Sequence, residues 1–276
     1  YNLFMKYVLI TGAAGGMGRA AARRFRDCGY GVFALDISPV NEEDVQYVKT
    51  DVTDEKSVIS AFNEVKSKTD ELFAIIHFAG IYMLDSLVEI PTEDFDRIFS
   101  VNFRAAYLIN KTFLPLLKKG SKIVMTTSEL APIDPLPFTG LYAVTKAALD
   151  KYAFSLRNEL QLLGIHVSVI RAGAVKTNML GVSTKALNDF CEKTSLYKCN
   201  ARRFKKIVDA VESKCVPPEK IAEKAEGILK KKKPKFSYSI NRNFLLRLYG
   251  AAPNGLKFFA IKEILKEDKK DRESNR

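Results

Sequence analysis

The 276-residue sequence is poor in the residues that build metal centres and covalent scaffolds. Its two histidines, His77 and His166, lie far apart, and its four cysteines, Cys28, Cys191, Cys199 and Cys215, include no C-x-x-C pair. That pattern gives no support to a zinc site, so no metal is expected and the cysteines read as structural thiols. No run of roughly 18 or more apolar residues occurs, which argues against a membrane span. Tyr1 to Phe4 is too short for the apolar core of an export signal, so a cytoplasmic location is expected. What the chain does have is 47% hydrophobic residues, which excludes global disorder and suits one sizeable core. With no internal repeat and no flexible linker, residues 1–276 read as a single domain.

The net charge of +12 is unevenly spread. Lys230 to Arg276 holds 14 Lys/Arg against five Asp/Glu, a net of +9, and the preceding body carries only +3. Such a tail can attract a membrane surface, an acidic protein or nucleic acid, or be a solvated lysine-rich face. A nucleic-acid partner is not expected.

Apolar, β-branched runs alternate with helical patterns along most of the chain. Strands are predicted over 7–11, 31–36, 45–49, 72–78, 122–127, 166–171 and 236–240. Helices are predicted over 19–28, 55–66, 92–117, 142–163 and from Pro217-Pro218 to about Leu229. Thr92 is the expected N-cap of the third helix, with Pro115 perturbing its last turn. This alternation implies an α/β, doubly wound Rossmann fold, a parallel seven-stranded sheet with helices on both faces. Two segments fall outside the rhythm. Residues 178–214 follow the sixth strand and are the candidate substrate cover. Residues 241–276 form a basic C-terminal extension in which apolar and charged residues mingle, suited to packing on the domain, on a sister subunit or in the plane of a membrane.

The glycine cluster Gly12, Gly15, Gly16 and Gly18, with Met17, follows the first strand and opens a helix. Glycines there permit a tight turn and close approach to a pyrophosphate, which the helix N-terminus then attracts. Asp36 ends the second strand about 20 residues on, the context that makes the cluster a dinucleotide signal. Its carboxylate can accept hydrogen bonds from ribose hydroxyls and repels a 2′-phosphate, so NAD(H) is expected over NADP(H). Tyr142 and Lys146, four residues apart, share one helix face. A phenol beside a fixed ammonium is expected to have a lowered pKa and to serve as a proton donor.

The pattern Thr11-Gly12-x-x-x-Gly16-x-Gly18 resembles the fingerprint of the short-chain dehydrogenase/reductase family in its single-domain branch. Asp51-Val52, Ala79-Gly80, Asn102, Ser128 and Tyr142-x-x-x-Lys146 follow in the family's order, and the resemblance runs from Tyr7 to about Ile240. It implies Tyr142 as general acid/base, Lys146 on the nicotinamide ribose, Ser128 on the substrate oxygen and Asn102 interrupting its helix to anchor a proton-relay water. It also implies Asp51 and Val52 at the adenine, Ala79 and Gly80 in a backbone turn against the cofactor, and Val175 and Thr177 at the nicotinamide amide. The chain departs from the family at His77-Phe78, where many members have Asn-Asn, and at Ala172-Gly173, where Pro-Gly is usual. The Ser128 to Tyr142 spacing is 14, one more than usual, and the extra residue is expected to bulge outward; Thr127 is the fallback for Ser128.

Phe138-x-Gly140-x-Tyr142 and the tail Asn241 to Leu248 look similar to the retinol- and hydroxysteroid-dehydrogenase-like branch, which suggests an apolar secondary alcohol or ketone. Two alternatives stand beside that: a reductase of acyl groups on an acidic carrier protein, and a non-catalytic NAD-sensing or interaction protein. The family usually forms dimers or tetramers through the helices near Thr92 and Tyr142, and a homo-oligomer is expected.

Overall fold

Strands without polar alternation become inner strands of a sheet covered on both faces, and the computed structural model, which describes residues 5–212 and 215–266, bears this out. The strands are β1 (Tyr7–Thr11), β2 (Gly31–Asp36), β3 (Val45–Lys49), β4 (Leu72–His77), β5 (Leu117–Ser128), β6 (His166–Ala172) and β7 (Ser237–Ile240). They form one parallel sheet in the order β3-β2-β1-β4-β5-β6-β7. The order reverses between β1 and β4, and a doubly wound sheet opens its ligand crevice at that switch point, at the strands' C-terminal ends.

Side-chain alternation along the strands separates two cores. Leu9 of β1, Phe33 and Leu35 of β2 and Ile75 of β4 pack under α2 (Glu55–Lys66), α4 (Ala105–Phe113) and α5 (Gly140–Leu160). Val8, Ile10, Val32, Ala34 and Ile76 pack on the other face, under α1 (Gly16–Asp27) and α8 (Pro218–Leu229). Asp54 caps α2 by accepting from the Lys56 and Ser57 amides, both at 3.2 Å, which offsets two orphan donors of the first turn.

Several predicted boundaries move. The first helix begins at Gly16, not Arg19, because Gly18 sits against the preceding turn: a Cβ there would lie 2.1 Å from the Gly12 carbonyl oxygen and 2.7 Å from the Ala13 Cα. The single helix expected over 92–117 is α3 (Thr92–Phe99), a π-helical turn (Ser100–Arg104), α4 and a 3-10 turn (Leu114–Leu116) containing Pro115. Pro91 rather than Thr92 holds its N-cap position. β5 starts at Leu117, five residues before the expected Lys122, and α5 starts at Gly140, two before Tyr142.

Residues 178–214, read as an insertion and candidate substrate cover with no elements assigned, contain α6 (Asn178–Lys193) and α7 (Lys198–Glu212). Leu187, Phe190, Ala201 and Phe204 from these helices form a third apolar cluster with Leu84 and Leu265. The extension forms α9 (Phe244–Ala251) and α10 (Asn254–Leu265). Among the described residues no helix is long and apolar enough to cross a membrane.

The contact at Gly18 makes a first expectation. Gly18→Ala forces backbone on backbone, an overpacking cost of about 3 kcal/mol. Thermal unfolding should show a lower Tm, and NADH titration should show binding weakened with it. An unchanged Tm would mean that the turn and α1 separate freely.

Candidate active site

The glycine turn is built for a polyanion. Gly12 has φ 68°, a left-handed conformation that favours glycine, and a Cβ on it would lie 2.5 Å from the Ala79 nitrogen. Gly15, at the N-cap of α1, brings no side chain, and the first turn holds no acidic residue. The orphan amides of that turn and the positive end of the helix dipole therefore face the crevice. Asp36 at the end of β2 is tied into the same turn, its carboxylate accepting from the Ala14 amide at 3.0 Å and the Ser38 amide at 2.9 Å.

These elements border a cleft of about 1170 Å³. Gly12, Gly15, Gly16, Met17, Gly18, Asp36, Asp51, Val52, Ala79, Gly80 and Thr177 all line it, so most of the residues predicted to hold a cofactor are brought together. Gly16 is pressed against the Thr177 side chain, where a Cβ would come within 2.8 Å. Asp51 accepts from the Thr53 amide and hydroxyl at 2.8 and 2.6 Å, which orients the carboxylate at the cleft. Val175 is not on the wall; it pairs with Val216 in a parallel bridge and packs among the apolar residues beneath β6. The glycine cradle, the unpartnered helix start and the acid beside it fit a dinucleotide.

The four residues predicted to carry chemistry are not themselves on the cleft wall; they stand behind it, reached through Gly80, which borders Asn102 and Lys146, and Tyr82, which packs on Tyr142. The π-helical turn projects Asn102 inward, where its side chain accepts from the Ile81 amide at 2.8 Å. It donates to the Ile81 carbonyl at 2.9 Å and to the Thr145 hydroxyl at 3.1 Å. A π turn costs regular helix hydrogen bonding and commonly marks a functional position. Lys146, buried on α5, donates to the Thr126 carbonyl at 3.2 Å. Gly80 lies between them, since a Cβ there would meet Asn102 Oδ1 at 3.3 Å and Lys146 Nζ at 3.4 Å. Ser128 ends β5, where its hydroxyl accepts from the Leu130 amide at 3.2 Å and lies near enough to the Tyr142 phenol to lower its pKa.

The electrostatics differ from expectation. Burial pushes the Tyr142 phenol up to about 12, with the Ser128 side chain pulling the other way. The expected lowering by Lys146 is absent because that amine is itself desolvated, burial drawing it down to about 8, and it lies 5.7 Å from the centre of the phenol ring. At neutral pH Tyr142 therefore holds its proton.

The departures from the family pattern are absorbed locally. Thr127 is committed elsewhere, donating to Asp150 at 3.3 Å beside the Arg171–Asp150 ion pair, so Ser128 is the hydroxyl at the site. The longer loop exposes Pro132, Asp134 and Pro135 while Phe138, at φ 65°, turns its ring inward against Phe190, Tyr197 and Phe204. The Ala172-Gly173 loop is held by β7: the Gly173 amide donates to the Ile240 carbonyl at 2.9 Å, and a Cβ on Gly173 would lie 2.0 Å from the Asn241 carbonyl oxygen.

His77 is a packed strand-end residue. Its Nε2 is 2.9 Å from the Asn110 side-chain oxygen, and burial pulls its pKa down to about 4. A histidine neutral in the fold and titrating near 6.5 when unfolded contributes stability above pH 6.5 that is lost as the pH falls to about 4, on the order of 3 kcal/mol. Urea unfolding across that window should show the loss in the wild type and most of it gone in His77→Gln. An equal acid slope in the variant would assign the effect to other groups.

Sequence reading missed three contributors. Tyr82 on the cleft wall packs its ring 4.9 Å from that of Tyr142. Glu89 accepts from the Thr194 hydroxyl at 2.7 Å, from the Ser195 amide and hydroxyl at 2.8 and 2.9 Å, and from the Leu196 amide at 3.2 Å. Those bonds, led by Thr194, hold its carboxyl down at about 2. With the Lys193–Asp85 ion pair at 2.9 Å, they fasten the junction of α6 and α7 to the loop after β4. Only proximity in space reveals these links; those of Glu89 and Asp85 join positions more than a hundred residues apart.

Residues 6–188, two thirds of the chain, match the family model described as short chain dehydrogenase. The chain is a short-chain dehydrogenase. Members of this family are oxidoreductases that work with a nicotinamide cofactor. This short-chain dehydrogenase is 33% identical over 189 residues to estradiol 17-beta-dehydrogenase 2 of Mus musculus, an alignment covering 64% of this chain and 50% of that protein. It is 33% identical over 192 residues to the NADPH-dependent 1-acyldihydroxyacetone phosphate reductase of Schizosaccharomyces pombe, covering 66% of this chain and 65% of the relative. The match thus spans about half to two thirds of these relatives' lengths. Among solved structures, 3-ketoacyl-(acyl-carrier-protein) reductase from Brucella melitensis, complexed with NADH, superposes with a TM-score of 0.70 at 21% identity, covering 85% of this chain and 96% of that one. That likeness is one of fold.

Proposed function

We propose that this short-chain dehydrogenase uses NAD(H) to interconvert an apolar secondary alcohol and its ketone, with Tyr142 as general acid/base. The observation that carries the reading is the gathering of Ser128, Tyr142, buried Lys146 and buried Asn102 directly behind Gly80 and Tyr82 of the cleft wall. The nicotinamide would supply the hydride chemistry, held by the glycine turn, Asp36, Asp51 and the Ala79-Gly80 turn. The chain's own residues handle the proton. A Tyr142 that is neutral at pH 7 is ready to donate to a carbonyl oxygen, while Ser128 donates a hydrogen bond to the same oxygen and stabilises its developing charge. Lys146 as an ammonium stabilises the phenolate left behind, and Asn102, which borders Gly80 together with Lys146, offers the route by which the proton returns.

Charge on Lys146 is lost as pH rises through about 8. Reduction should therefore slow above pH 8, since the neutral amine no longer favours phenolate. Substrate polarity is read from Leu84, Tyr82 and Phe190 on the wall and Phe138 behind them. The names of the mouse and fission yeast relatives, an estradiol dehydrogenase and an acyl-dihydroxyacetone phosphate reductase, support a lipid-like alcohol or ketone. We take α6 and α7 to be the substrate cover, since α6 supplies Ala186, Asp189, Phe190 and Lys193 to the cleft. A panel of ketones assayed by loss of NADH absorbance should favour steroid-like and long-chain substrates over small polar ones, with the rate falling above pH 8. NADH binding without turnover of any panel member would favour the sensing reading instead.

The homo-oligomer is part of the same proposal, supported by exposed Tyr107 on α4 and Val144 and Phe154 on α5. So is a cytoplasmic location.

A further inference from the structure

The C-terminal extension carries its polarity inside out. Six of the eight residues of α9 are apolar or aromatic side chains larger than glycine and none is buried, with Phe244, Leu245 and Leu248 more than half exposed. In α10 one lysine faces inward while the phenylalanines face outward: Lys257 is 6% exposed, Phe258 71% and Phe259 63%. Leu256 and Ile264 are exposed as well. Helices this apolar are ordinarily covered, and an exposed cluster of this kind marks an interaction surface.

The two helices are nevertheless pinned in place. Lys257 donates to Asp134 at 2.6 Å and to the Gly250 carbonyl at 3.3 Å. The Asn243 amide donates to Glu129 at 2.6 Å, and Asn200 donates to the Leu265 carbonyl at 2.6 Å. Leu265 and Ile261 sink into the cluster that holds Leu84 and Phe190 of the cleft wall. The exposed side chains thus belong to a fixed surface backed by the site, so their exposure is not a consequence of a loose tail.

Charge selects the partner. Arg242, Arg247, Lys262 and Lys266 are exposed along the same segment, against one acid, Glu263, which is already paired with Lys266. Residues 230–276 carry +9. A twofold contact between two such surfaces would set like charge against like. An anionic bilayer satisfies both features, taking the aromatic and aliphatic side chains into the headgroup boundary and the cations to the phosphates. We propose that α9 and α10 form a docking surface for an anionic lipid membrane, with the helices lying in its plane.

The surface does not depend on the reaction assigned above, and its test is separate. The full chain is mixed with vesicles of phosphatidylcholine alone or with phosphatidylserine added, and sedimented. Wild type should bind the phosphatidylserine vesicles, less at high salt, and Phe258→Ser/Phe259→Ser should weaken binding by about tenfold or more. Arg242→Glu/Arg247→Glu should weaken it independently through charge. All four positions are exposed, so Tm and NADH binding should stay at wild-type values in both variants. Two results would overturn the proposal: no binding to phosphatidylserine vesicles, or a concentration-dependent dimer in sedimentation velocity that the phenylalanine variant abolishes while vesicle binding is absent, which assigns the face to a second copy.

Discussion

Tyr142→Phe is expected to lower kcat by about a thousandfold, within the usual range for loss of a general acid, while NADH affinity stays within a few fold. The phenol oxygen is the one atom removed, and neither Tyr142 nor Ser128, which lowers its pKa, is among the residues lining the nucleotide cleft. The ring survives, so its packing on Tyr82 at 4.9 Å is kept, and the fold should not register the change. A thousandfold loss corresponds to about 4 kcal/mol of transition-state stabilisation. The pH profile separates roles: the wild-type decline above pH 8 belongs to Lys146 and should vanish with the rate itself. Retained turnover in the variant would move the acid to another group and end the proton-transfer scheme.

The second large effect concerns which dinucleotide is taken. Asp36 stands at the end of β2 with both carboxylate oxygens aimed along the cleft rim, each already accepting one backbone amide. A carboxylate oxygen has capacity for a second donor, which a ribose hydroxyl can supply and a 2′-phosphate cannot. Wild type is expected to prefer NADH to NADPH by about a hundredfold, or about 2.7 kcal/mol, because like charges would face each other at short range. Arg19, the cation on the same wall, leans 3.8 Å from Glu42 and so is partly engaged. Asp36→Asn keeps an acceptor for the Ala14 amide but removes the charge, and should bring the two cofactors to near parity. Fluorescence titration with each nucleotide reads this out. A wild type that prefers NADPH would mean Arg19, not Asp36, reads the ribose.

Much of this site was legible in one dimension because its parts sit where short-range rules operate. A strand ending in glycine, an acid ending the next strand and Tyr142 four residues before Lys146 are local patterns, and the parallel sheet gathers strand ends at one crevice. What escaped was set by contacts between distant segments. The residues around Asn102 read by themselves as continuous helix, since the extra residue per turn leaves little trace in a short apolar stretch, and only the family resemblance implied the interruption that the π turn supplies. Val175 lies two residues before Thr177 in sequence, yet its pairing with Val216 turns it off the cleft. The pKa of Tyr142 moved opposite to expectation because its ammonium neighbour is as desolvated as the phenol. In the extension, a pattern of mixed lysine and phenylalanine reads equally well with either face inward, and only the Asp134 carboxylate under α10 decides that Lys257 is the buried one.

The most direct measurement is a crystal structure of the protein with NADH and a non-reactive ketone analogue. The pyrophosphate should lie on the amides at the start of α1, with the adenosine ribose against Asp36. The ketone oxygen should sit within about 3 Å of both the Tyr142 hydroxyl and the Ser128 hydroxyl, as two hydrogen bonds require. A dinucleotide bound outside this cleft, or a ketone oxygen held by other groups with Tyr142 out of reach, would contradict the assignment.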